Sequence, residues 1–170
     1  MKAAASLLAL GLLAGDLTVG GEVPDMTLKS IDGKESKLSE LNKAGKVVVI
    51  VSWSPDCPSG AVPRITEVGN KYAGNEKVAF FGVNAYGETA EKCAAVVKDQ
   101  GVKYSVVHDE DKSVSKALGA KKVNAAYVIK DGKLFWRGGA MKNGKDHLEQ
   151  AIEAALSGAA APPSDKDKLG

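Results

Sequence analysis

One stretch, Lys46 to Pro63, constrains this chain more than any other: Lys-Val-Val-Val-Ile-Val-Ser-Trp-Ser-Pro-Asp-Cys-Pro-Ser-Gly-Ala-Val-Pro. Its first part, Val47 to Val51, is apolar and entirely β-branched, with Gly45 and Ser52 at its bounds. A run without polar alternation is expected of a strand covered on both faces, so it predicts a buried parallel strand at the centre of a sheet. The second part is turn chemistry around one thiol. Pro55 and Pro58 have no backbone donor, and Ser54, Asp56 and Ser59 are turn and cap residues. With a helix starting near Pro58, Cys57 sits at its N-terminus, where unpaired amides and the helix dipole stabilise a thiolate. A thiol so placed falls from about 8.5 towards roughly 3.5–7.5. The competing reading is a cysteine buried for packing; turn formers on both sides favour the nucleophile.

The chain has 170 residues and 44% hydrophobic content, enough for one domain with a substantial core. The net charge of +2 arises from 23 basic and 21 acidic residues spread along the chain, with Arg64 and Arg137 the only arginines. That balance gives no electrostatic footprint for nucleic acid. Residues 1–20 read as a secretory signal peptide: one lysine, Lys2, then an apolar run from Ala3 to Ala14 that is too short to span a bilayer. Gly20 or Gly21 offers an alternative cut. The expectation is export to a bacterial periplasm or the extracellular space, without an integral membrane span. Two cysteines are too few for a disulfide framework, so a redox or catalytic role suits them better than a structural one.

Along the chain, Glu22 to Lys37 reads as a small hairpin turning at Asp32-Gly33. Leu38 to Ala44 reads as a short helix with Ser39 as a possible cap. Ala61 to Tyr72 has an apolar stripe of Val62, Ile65 and Val68, and Lys77 to Val83 is a second buried strand, which together make a right-handed crossover. The helix Thr89 to Gln100 places Ala90, Cys93, Ala94 and Val97 on one face, so Cys93 reads as a core residue. Tyr104 to Val107 is a short strand. The acidic loop after it, Asp109 to Asp111, complements the dipole of a helix over Ser113 to Leu118, and His108 reads as a solvated surface residue. No metal site is expected, because those acids lack the spacing of a calcium loop. Val123 to Ile129 and Lys133 to Arg137 form a hairpin across Asp131-Gly132, broken by Gly138-Gly139. A last helix runs from about Lys145 to Leu156, and the tail 159–170 is expected to be mobile.

The residues around Cys57 resemble the thioredoxin-like redoxins, a superfamily that includes thioredoxins, periplasmic thiol reductases and AhpC/TSA-type peroxiredoxins. The likeness rests on Trp53 four residues before Cys57, Pro58 directly after it and the helix proline Pro63. The order of elements agrees over residues 21–158. The resemblance implies an α/β thioredoxin-like fold: a central mixed sheet, helices on both faces and an N-terminal hairpin. It also implies that Cys57 is the nucleophile, that Ser54 stands for the peroxiredoxin threonine, and that Trp53, Pro58 and Asn124 form the substrate surface. Asn124 takes the place of the thioredoxin cis-proline, and a cis bond there is not expected, since it costs roughly 2.5–4 kcal/mol without proline. By the same resemblance Cys93 is a candidate resolving thiol, which requires the two Cα atoms within roughly 7 Å.

The pattern also departs from each subfamily. Gly60 stands where thioredoxins carry a second cysteine, Val51 where they bury an aspartate, and Ile50 where peroxiredoxins carry a proline. Two functions remain open: a thiol oxidoreductase acting on protein disulfides or peroxides with an external thiol reductant and no cofactor, or a redox-inactive binding module of the same fold.

Overall fold

The computed structural model describes residues 17–57, 61–140 and 147–164. A two-stranded hairpin, β1 (Thr27–Lys29) and β2 (Glu35–Lys37), leads into α1 (Leu38–Lys43). Then follow β3 (Val47–Ser52), α2 (Ala61–Tyr72), β4 (Val78–Asn84), α3 (Ala90–Asp99), β5 (Ser105–His108) and α4 (Ser113–Ala117). The chain closes with β6 (Ala125–Lys130), β7 (Lys133–Gly139) and α5 (His147–Ser157). The central sheet has the order β5-β4-β3-β6-β7, with β3, β4 and β5 parallel and β6 and β7 antiparallel. This is the thioredoxin-like α/β fold that the sequence implied. Among the described residues no helix is long and apolar enough to cross a membrane.

β3 is buried along its whole length and feeds two cores by alternation. Val47, Val49 and Val51 pack beneath α2 and α5, against Ile65, Val68, Ile152 and Ala155. Val48 and Ile50 face the opposite side, with Leu28, Leu38, Val114 and Leu118 from the hairpin, α1 and α4. The crossovers β3-α2-β4 and β4-α3-β5 step in the same direction, and the right-handed rule puts α2 and α3 on one face. Cys93 on α3 accordingly joins the first core.

Several local expectations change in the folded chain. The cap of α1 is Asp25, not Ser39: its Oδ1 accepts from the Ser39 N–H at 2.8 Å and its Oδ2 from the Ser39 hydroxyl at 2.8 Å. At α4 the acids act as anticipated, Asp109 accepting from the N–H groups of Val114 and Ser115 at 3.1 and 2.8 Å. Gly138 and Gly139 do not break β7 but pair with Ala126 and Ala125. Gly138 is there because a Cβ would come within 2.3 Å of the Trp136 ring, which folds back over the strand.

The chain flanking the domain is also packed. Leu17 is buried and its carbonyl accepts from Arg137 at 2.8 Å. Within the expected mobile tail, Ala161 packs against the core, and the fully buried Trp136 donates its indole N–H to the Pro163 carbonyl at 3.2 Å. Residues 165–170 and most of the expected signal segment, 1–16, lie outside the described residues.

Candidate active site

The ends of β3 and β4 and the start of β6 meet at one edge of the sheet. Ser52 pairs with Val83 across the parallel strands, and the Trp53 N–H donates to the Val83 carbonyl at 2.8 Å. From the other side, the Asn124 N–H donates to the Ser52 carbonyl at 2.8 Å. The carboxyl ends of parallel strands are where connecting turns leave side chains free to meet ligands.

Cys57 lies in the connection from β3 to α2 and is half-buried. Its N–H donates to the Ser54 carbonyl at 3.2 Å, which closes a tight turn over Pro55 and Asp56. Asn124 faces the sulfur: Nδ2 donates to Sγ at 3.6 Å, and Oδ1 lies 4.0 Å from it. The backbone of Asn124 has φ of 69°, a left-handed conformation that asparagine tolerates better than most residues. With its carbonyl accepting from Ala140 at 2.7 Å, the residue is fixed between β3 and the end of β7. Pro58, and with it the expected helix start beside Cys57, lies outside the described residues; α2 is described from Ala61.

Ser54 and Trp53 take other places than the substrate surface. Trp53 is 0% exposed and belongs to the core beneath α2, so it supports the loop from below and does not reach a substrate. Ser54 is buried, and its hydroxyl donates to Glu88 Oε1. The buried Asn84 donates Nδ2 both to the Trp53 carbonyl at 3.1 Å and to Glu88 Oε2 at 3.0 Å. Burial alone would raise the Glu88 carboxyl. The hydrogen bonds from Ser54, from Asn84 and from the backbone of Glu88 and Asp56 outweigh it and hold the group below its ordinary value of 4.5. His108 is half-buried, not a solvated surface residue, with Nε2 2.9 Å from the Glu88 carbonyl. An ion pair between Lys92 and Asp56 ties the first turn of α3 to the cysteine loop.

Cys93 differs in every respect from Cys57. It is 0% exposed, and the two cysteines are not joined in a disulfide. Burial, followed by the nearby Glu88 charge, pushes its thiol up to about 11. Its N–H is held by the Thr89 carbonyl at 3.0 Å in the capped first turn of α3. Tyr86 is exposed at the rim. Desolvation of its phenol and the charges of Glu88 and Cys57 push its hydroxyl up, against an opposing hydrogen bond with Ser52.

A turn-borne cysteine at the carboxyl edge of a mixed sheet, faced by an amide from the start of β6, is redoxin geometry. The AhpC/TSA family model matches residues 19–137. The chain belongs to the AhpC/TSA family. Among curated relatives of this redoxin, peroxiredoxin Q, chloroplastic, of Triticum aestivum is 27% identical over 109 residues, covering 64% of this chain and 49% of that protein. The chain thus spans about half the length of that relative. Among solved structures, a hypothetical protein of Sinorhizobium meliloti superposes with TM-score 0.75 at 25% identity, covering 88% of this chain and 90% of that one. A Chlorobium tepidum protein provisionally named thiol:disulfide interchange protein DsbE gives TM-score 0.69 at 25% identity, covering 83% and 99%. Redoxin likeness therefore runs towards both the peroxide and the disulfide branches.

Asn84, Tyr86, Glu88 and Lys92 are the site residues that sequence reasoning missed. A signal for three of them was present: Asn84-Ala85-Tyr86-Gly87-Glu88 follows directly on a buried strand predicted to lie beside the cysteine strand. The first residues past such a strand are carried to the same edge.

Proposed function

We propose that this redoxin is a thiol oxidoreductase in which Cys57 is the nucleophile towards a disulfide or a peroxide. The observation that carries the reading is the half-buried Cys57 at the sheet edge with the Asn124 amide donating to its sulfur at 3.6 Å. A donor there stabilises the thiolate, and hydrogen bonds to a charged group are stronger than those between neutral groups. Attack on a disulfide gives a mixed disulfide, and attack on a peroxide gives a sulfenic acid. An external thiol completes either cycle without rearrangement. Cys93 does so only if the first turn of α3 opens, since its sulfur is sealed in the core.

The test is mass spectrometry of reduced protein treated with hydrogen peroxide and dimedone, or with a mixed-disulfide probe, against Cys57→Ser. An adduct at Cys57 that vanishes in the variant is the expected result. Inertness of Cys57 to both reagents overturns the reading and leaves a binding module of the same fold.

Export is part of the same proposal, supported by the apolar run Ala3 to Ala14 after Lys2. A cut before Leu17 preserves its buried contact with Arg137, whereas a cut at Gly20 removes it. Fractionation of the source cells with N-terminal sequencing of the mature chain checks both points.

A further inference from the structure

We infer that the cavity between the β4-α3 and β5-α4 connections is a specificity pocket for a cationic side chain, an ammonium or guanidinium group, of a disulfide-bearing protein substrate. The link to a disulfide rests on Cys57 being the nucleophile, whereas the pocket itself stands on residues away from the thiol. The cavity holds about 430 Å³, within the ordinary range of small-ligand sites, and its lining includes Asn84, Glu88, Glu91, His108, Glu110 and Lys112. Asn84 and His108 are paired residues of β4 and β5, so their side chains leave the sheet on the same face. The pocket also shares a wall with the loop that carries Cys57. Glu88 accepts from the Ser54 hydroxyl, and Asn84 Nδ2 donates to the Trp53 carbonyl at 3.1 Å.

Asn84 shows which chemistry the pocket lacks. A carboxamide has two donor protons and an acceptor oxygen. Both protons of Asn84 are placed, on the Trp53 carbonyl and on Glu88 Oε2 at 3.0 Å, yet Oδ1 has no partner although the residue is only 1% exposed. A buried acceptor left without a donor is costly, so a ligand that fits here brings N–H groups. Charge agrees with that. Glu88, Glu91, Asp109 and Glu110 line the cavity against the single lysine of the lining, Lys112. The start of α3 makes little claim on an anion, because the Lys92 N–H is held by Thr89 Oγ1 at 3.2 Å and the Cys93 N–H by the Thr89 carbonyl at 3.0 Å. The cation is organic: among the described residues no three His, Cys, Asp or Glu side chains are grouped to hold a metal ion. Ammonium and guanidinium groups carry several donors and no acceptor, which matches an orphan oxygen ringed by carboxylates.

The test has two arms, both on the full chain. The first titrates the Cys57→Ser protein with N-acetyl-lysine methylamide and follows the Asn84 side-chain amide by NMR, with N-acetyl-glutamate methylamide as the control. Saturable shifts with the lysine probe alone are expected, and weaker binding when Glu91→Gln and Glu110→Gln are added. The second compares rates with cystamine, a dication, and with dithiodipropionate, a dianion, as a ratio normalised to the same ratio for mercaptoethanol. Wild type is expected to favour the cation by about tenfold at low salt, the size of one charge-assisted contact, and to lose most of that preference at high salt. Glu91→Gln with Glu110→Gln lowers the ratio, and Lys112→Gln raises it. An Asn84 amide that ignores the lysine probe overturns the pocket and leaves its oxygen to solvent. Binding with a wild-type ratio no higher than that of mercaptoethanol overturns its role in substrate choice, even if every variant fails to fold. Failure of Cys57 to react with any disulfide overturns the parent reading instead, and the NMR arm, which needs no thiol, keeps the two failures apart.

Discussion

Two cysteines in one fold occupy opposite environments. Cys57 sits in a turn at the carboxyl edge of β3, half-buried, with an amide aimed at its sulfur. Cys93 sits one turn into α3, fully buried, with its thiol pushed up to about 11. The proposed reactivity of Cys57 rests on this contrast, because a nucleophilic cysteine acts as the thiolate and an apolar surround disfavours it. Secondary structure alone does not explain the difference, since Cys57 lies four residues before the first described residue of α2 and Cys93 in the first turn of α3. What separates them is whether the sulfur faces the sheet edge or the core.

The largest expected effect is at Cys57. Cys57→Ser abolishes adduct formation with dimedone and with mixed-disulfide probes, whereas Cys93→Ser retains it; a reactive Cys57→Ser protein would erase the contrast. The second effect is protection of the buried thiol. Under native conditions iodoacetamide should label Cys57 about a thousandfold faster than Cys93, whose labelling waits for opening of the core. Quenched-flow peptide mapping reads both rates, and equal rates would mean that α3 opens freely.

Smaller effects sharpen the comparison. Asn124→Ala removes a long donor to sulfur and should slow Cys57 alkylation at neutral pH by about three- to tenfold, with the pH profile moved to higher pH. A merely scaffolding Asn124 would lower stability without moving that profile. Cys93→Ser places a hydroxyl in the core and should destabilise the fold by about 1–3 kcal/mol in urea melts. The weakest effect is alkaline. Because the folded thiol of Cys93 is raised, its contribution to stability is fully present below its ordinary value of 9.0 and is lost as pH rises towards about 11. Cys93→Ala should flatten that part of the stability profile.

Much of the architecture was legible because it is local. The unbroken, β-branched run Val47 to Val51 reads as a strand covered on both faces, and the alternation of its residues between two cores follows from its period of two. The stripe on Ala61 to Tyr72 gave α2 its bounds. Other features were not local. Asp25 caps α1 from across the hairpin, and Gly138 stays in β7 because a ring two residues away needs the space of its missing Cβ. Trp53 looked like a substrate contact from its place beside the cysteine, yet its indole turns into the core.

By itself the sequence determined the nucleophile candidate, the central strand and the order of elements, because turn chemistry and hydrophobic period act within a few residues. Only the tertiary structure decided which polar groups share the edge with Cys57. Asn124 reaches the sulfur from 67 residues away, and Glu88 takes the Ser54 proton from 34 residues away. Contacts of that separation arise where strands distant in sequence end side by side, and no spacing along the chain encodes which hydroxyl a carboxylate will hold.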